Sequence, residues 1–297
     1  MRSLRLCAVL LFGGLLLLAS LPLAARAKEA CPYSADPYAS CMKRASGAHA
    51  GSYLNADAVG GKRNVRTVER LEEAIVVANF HHDGCYWLAR IPTTRARDWK
   101  VFYEVEDWKY WFTGGHGQVR VSLGGDDRMV IVPQPGGDPG CLSRSEERLQ
   151  DFVLSVEAWH VTGEAYSIQR GTMDEYELVL RMMSLEHVRK KAADSARGIV
   201  ATHEWLLDLS PRRKQGEIEP SLAILDRALL RGQAWDAPGD VKYHTFLRNC
   251  VTESLSLLDV PQFGTSIPYS KEAPMLNLSR VLPRHFEKAG VPVLRLN

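Results

Sequence analysis

Three residues of this 297-residue sequence have the types that nucleophilic acyl chemistry needs: Cys250, His116 and Glu157. A thiol can become a thiolate, an imidazole can take its proton, and a carboxylate can orient the imidazole or hold a substrate amine. Cys250 stands in the stretch 243–259, YHTFLRNCVTESLSLLD. Asn249 suits a helix N-cap because its side-chain oxygen can accept from free N–H groups of the first turn, and Val251, Leu255 and Leu258 recur at helical spacing. This pattern predicts that Cys250 opens a helix, whose positive dipole end favours thiolate over thiol. The plainer alternative is an inert cysteine packed at a helix start as a small apolar side chain.

His116 begins HGQVRVSL, in which Val119, Val121 and Leu123 alternate with Gln118, Arg120 and Ser122. The alternation predicts a strand headed by His116, and the flanking Gly115 and Gly117 leave the backbone open to close approach. Glu157 lies in LSVEAW, where an acid among apolar neighbours is costly unless it faces solvent or a partner. Periodicity does not separate an orienting role from an outward strand position. His244, His160 and His203 are the other candidate bases. His81, His82, Asp83 and Cys85 have the residue types of a zinc site but lack a second spaced pair, so no metal is expected. With no phosphate loop, Rossmann glycine pattern or nucleophile-elbow serine, no cofactor is expected either.

The elements that must position these groups follow from the patterning. The spacing of Val68, Leu71, Ala74, Ile75 and Ala78 predicts an amphipathic helix over 65–80. Aromatic and β-branched runs predict strands over 85–91 and 101–112. Residues 124–127 read as a hairpin turn with a strand returning over 128–132, and 133–150 as loop or insertion. Further strands are expected over 152–160 and 166–169, while 175–182 suits strand or helix equally. Ser184 as N-cap and the spacing of Val188, Ala192, Ile199 and Leu206 predict a long helix beyond Ser184. Others are expected over 222–230 and 282–288, the last stopped by Gly290. Strands that precede helices indicate an α+β fold with an antiparallel sheet packed against helices. His116 and Cys250 can cooperate only if the start of the cysteine helix packs across the end of the His116 strand.

Arg2 and Arg5 precede an apolar run over 6–23, and Ala25-Arg26-Ala27 has the form of a cleavage site, so residues 1–27 are expected to be a signal peptide. Its removal would leave 270 residues (297 minus 27) with 34 basic side chains (37 minus 3) against 35 acidic ones. That balance gives no bulk electrostatic reason to bind nucleic acid or an anionic membrane, and no transmembrane span is expected after cleavage. The product would be periplasmic or secreted. Residues 28–100 are expected to form an extension and helix packed on a core domain over 101–297. Of six cysteines, Cys7 would leave with the signal. Pairing Cys31 with Cys41 and Cys85 with Cys141 is the economical arrangement, and it leaves Cys250 as the odd thiol.

With these residues in place, the chain resembles the family built on the Lnb N-terminal periplasmic domain, within the circularly permuted NlpC-like papain fold. The resemblance covers about 101–259 and rests on GGHGQVRVSL, LSVEAWHVTGEAYS, DEYELVL and YHTFLRNCVTESLSLLD, in that family's order; the second and last are the more specific. It implies a permuted papain-like fold, in which the histidine strand comes before the cysteine helix. It further implies Cys250 as nucleophile and His116 as base, with Glu157 at a matched position. The segment containing Cys141 looks like an insertion relative to that family. The implied function is an exported cysteine hydrolase, an amidase, peptidase or acyl hydrolase acting on a peptide, amide or acyl substrate of the cell envelope. The alternative is an inactive binding or envelope-assembly module on the same fold.

Overall fold

The computed structural model describes residues 64–108, 115–135, 139–159, 167–193, 199–235, 241–260 and 278–296. Their strands are β1 (Arg66–Arg70), β2 (Ala74–His82), β3 (Cys85–Pro92), β4 (Lys100–Trp108), β5 (Gly115–Ser122), β6 (Met129–Pro133), β7 (Glu147–Leu149), β8 (Asp151–Trp159), β9 (Tyr176–Ser184), β10 (Ile199–Leu207), β11 (Lys242–Tyr243) and β12 (Val293–Arg295). The helices are α1 (Pro139–Leu142), α2 (Ile168–Thr172), α3 (Leu185–Ala193), α4 (Pro220–Ala234), α5 (Cys250–Leu257) and α6 (Leu278–Lys288). One sheet runs β12-β10-β4-β5-β8-β9-β2-β3-β6-β7, with β1 on β2 and β11 on β9. Its pairings are antiparallel apart from β2 with β9. The α+β class with helices against an antiparallel sheet is therefore the fold observed.

Alternation along the central strands assigns the two faces. Val101, Tyr103 and Val105 of β4, Val119 and Val121 of β5, and Phe152, Leu154 and Val156 of β8 enter the main core. Ile224, Leu225 and Leu229 of α4, Val251 and Leu255 of α5, and Phe286 of α6 pack into the same core. The opposite face is more polar. There Val153, Met183 and Val188 form a small apolar patch with Leu185 under α3, while Glu104, Gln118, Arg120 and Ser155 are buried around it.

Several local expectations are corrected. Residues 65–80 form β1 and β2 rather than a helix, so this segment joins the common sheet. β2 is buried almost throughout, and a strand covered on both faces shows a continuous apolar run without the alternation that marks a half-exposed one. Its i, i+3, i+4 matches were incidental to a run of Ile75, Val76 and Val77 whose branching favours strands. The long helix expected beyond Ser184 ends with Ala193, and Ile199 and Leu206 belong to β10. The turn at 124–127 forms, with Asp127 N–H donating to Gly124 O, yet β5 and β6 do not pair: β5 lies between β4 and β8, and β6 between β3 and β7. The 133–150 segment contains α1 and β7, and residues 168–169 open a short helix rather than a strand. The ambiguous 175–182 run is strand β9.

Cys85 and Cys141 form the expected disulfide, and among the described residues Cys250 is a thiol outside any disulfide. Such a crosslink belongs in an oxidising compartment. No helix among the described residues is long and apolar enough to cross a membrane. The signal segment, the Cys31 and Cys41 pairing, His160 and the strand end at 109–112 lie outside the described residues.

Candidate active site

Helix α5 is placed from both ends. At its start, Asn249 Oδ1 accepts from the N–H groups of Val251 and Thr252 at 2.9 and 3.0 Å, and Thr252 Oγ1 accepts from Asn249 N–H, closing a capping box. Asn249 Nδ2 also donates to Thr245 O, which ties the cap to the preceding loop. At its far end, Arg227 of α4 donates to Leu257 O and Arg212 to Leu258 O, cations that suit the negative end of a helix. Glu253, nearly buried, pairs with Arg231 of α4 at 3.1 Å. Ser254 Oγ donates to Gly117 O at 3.1 Å and fastens the helix to the head of β5. The helix start therefore lies across the end of the His116 strand.

Three donors from other residues act on Cys250 Sγ: the backbone N–H groups of Gly117 and Val251, and the Tyr243 hydroxyl. Burial raises the thiol pKa, the donors lower it, and burial prevails. The helix dipole alone was expected to favour thiolate; with the residue only 5% exposed, lost hydration of the anion outweighs it. Tyr103, from β4, lies beside this group on the same face. Its hydroxyl is buried and without a hydrogen-bond partner, and burial first, then the adjacent Cys250, hold its pKa well above the ordinary value.

His116 is the second residue of β5, opposite Glu106 of β4. Its Nε2 lies 2.8 Å from Ser155 Oγ of β8. Gly117 faces α5, since a Cβ built there would meet Val251 Cγ2 at 3.1 Å, and successive strand residues point to opposite faces. The His116 ring accordingly projects on the α3 side, one residue from the amide that holds the thiol. The last β5–β8 pair at this end of the strand is Gln118 with Ser155, so His116 lies one residue past Gly117 and on the opposite face from Cys250.

Glu157 shares the His116 side of the sheet but is committed elsewhere. Its carboxylate pairs with Arg181 Nε at 2.8 Å and Lys191 Nζ at 3.1 Å. Burial would raise its pKa, but Lys191, Arg181 and then His116 hold it well below the carboxylate range. The charged partner that β8 periodicity could not reveal is thus Arg181, on the neighbouring strand.

No family model, curated protein or solved structure matches the chain.

The other histidines have separate tasks. His244 Nδ1 accepts from Phe246 and Leu247 N–H groups and shapes the loop before the cap. His203 lies between Asp107 and Arg295, each at 2.9 Å. His82 contacts Ser184 and Glu147, and Cys85 is in the disulfide, so the residues that looked like zinc ligands point to different partners. Sequence reasoning gave no role to Tyr103, Tyr243 or Ser155. Tyr243 lay within the cysteine motif and Ser155 two residues before Glu157, but each meets the site through tertiary contacts that no local pattern encodes.

Proposed function

We propose that this protein is an exported, periplasmic cysteine hydrolase with Cys250 as nucleophile and His116 as base, acting on an amide or acyl group of the cell envelope. The observation that carries this reading is the convergence of donors from Gly117, Val251 and Tyr243 on Cys250 Sγ. A neutral buried thiol is a weak acceptor and has little use for such a nest, whereas a thiolate or an adjacent oxyanion is stabilised by it. The order of the histidine strand before the cysteine helix supports the permuted papain-like arrangement, and Ser155 at His116 Nε2 supplies a polar partner of the kind that orients an imidazole. In this scheme His116 takes the thiol proton, the thiolate adds to the carbonyl carbon, and water later releases the acyl group.

A second reading, an inactive binding or envelope-assembly module, is favoured by one observation: burial raises the thiol pKa. Alkylation separates the two. Iodoacetamide at neutral pH should modify Cys250 faster than a free model thiol, and His116→Ala should slow it. A wild-type rate at or below that of the model thiol refutes the hydrolase.

A further inference from the structure

A buried hydroxyl without a partner beside a candidate nucleophile calls for an acceptor that arrives with the substrate. Tyr103 Oη has none among the described residues, although the residue is fully buried. Such an orphan lowers stability, and phenylalanine would fill the same space without it. The hydroxyl is admitted by Gly117, because a Cβ there would lie 2.4 Å from Oη. Gly117 is also the residue whose N–H reaches Cys250 Sγ. The phenol of β4 and the thiol of α5 thus converge on one strand glycine.

We propose that Tyr103 is an oxyanion donor, and that the substrate is therefore an acyl compound whose carbonyl oxygen takes the Tyr103 hydroxyl proton in a hydrogen bond. This inference rests on the hydrolase reading. His116 receives the Cys250 proton, and sulfur forms a bond to the carbonyl carbon while the C=O π pair moves onto oxygen. That oxygen accepts from Tyr103 O–H and the Cys250 N–H. When the pair returns, the bond to the leaving group breaks and the His116 proton goes to that group, leaving a thioester. Water attacks the thioester by the same sequence, its proton passing through His116 to sulfur. No oxidant or metal enters the balance. Because the thiol and phenol are both closed to solvent, neighbouring side chains must move to admit the carbonyl.

Two probes isolate the oxyanion. Iodoacetamide alkylates sulfur by displacement without one, whereas 4-nitrophenyl acetate acylates sulfur through one. Tyr103→Phe should lower acylation of Cys250 by about 10²-fold while alkylation stays within about twofold. Replacing Tyr103 by 3-fluorotyrosine, a stronger donor of nearly the same shape, should raise acylation and leave alkylation unchanged, and it serves if the Phe variant misfolds. Equal loss with both probes would assign Tyr103 to thiol ionisation or folding and overturn the proposal. Unchanged acylation would make the hydroxyl a packing feature only and also overturn it. Wild-type Cys250 that acylates no faster than a free thiol sinks the hydrolase reading, and the Tyr103 role with it.

Discussion

Gly117→Ala tests the contact between β4, β5 and α5 while keeping both the Cys250 side chain and the residue 117 N–H that meets it. Alanine in place of a strand glycine ordinarily stabilises by roughly 0.5–1 kcal/mol, since glycine loses more freedom on folding. Here the new methyl would lie 2.4 Å from Tyr103 Oη, 3.1 Å from Val251 Cγ2 and 3.3 Å from Tyr103 Cζ. Overfilling a packed core typically costs about 1–3 kcal/mol, so a net loss of about 1–2 kcal/mol is expected. Most of that clash is with one oxygen. In a Tyr103→Phe background the closest remaining distances are 3.1 and 3.3 Å, which shifts of a few tenths of an ångström relieve. The double variant should then recover to near the Tyr103→Phe level, a coupling of about 1–2 kcal/mol in a double-mutant cycle. Urea unfolding followed by fluorescence of the seven tryptophans measures all four proteins. Coupling below about 0.5 kcal/mol, within ordinary additivity error, refutes the geometry at Gly117.

Acidification should weaken the α3 side of the sheet. His81 is held at a pKa of about 3, by burial first and then by the charges of His187 and Arg181, against an ordinary 6.5. It stacks on Tyr86 and contacts His187. A base whose pKa is depressed in the folded state binds fewer protons there than when unfolded, so its contribution is present above pH 6.5 and is lost as pH falls towards 3. His81→Phe should flatten the urea midpoint across that window; an unchanged pH slope would contradict the burial of a neutral imidazole. At the cap, Asn249→Ala removes the acceptor for Val251 and Thr252 N–H and should cost about 1–2 kcal/mol. Hydrogen exchange should show the loss as faster exchange in the first turn of α5, and equal protection in variant and wild type would deny the cap its role.

What the sequence determined by itself were features encoded within a few residues. Asn249 and Thr252 are near enough in the chain to cap α5 whatever surrounds them, and the alternation from Val119 to Leu123 marks β5 because one face is apolar and the other polar. The count of cysteines left Cys250 as the odd thiol, and the Cys85 to Cys141 disulfide agrees with that reading. Tertiary structure decided the remainder. β2 reads like a helix because it is covered on both faces, and that covering comes from distant strands. Glu157 is an ordinary acid in its own strand; Arg181 from β9 and Lys191 from α3 make it a committed ion-pair partner. The thiol's ionisation went against its local dipole because desolvation depends on everything packed around Sγ, not on the helix it begins. The Tyr103 side chain lies beside Cys250 and the Gly117 amide meets its sulfur across 147 positions (250 minus 103) and 133 positions (250 minus 117) of chain. No spacing rule spans such distances, because what sets them is the order in which β4, β5 and β8 pair beneath one helix.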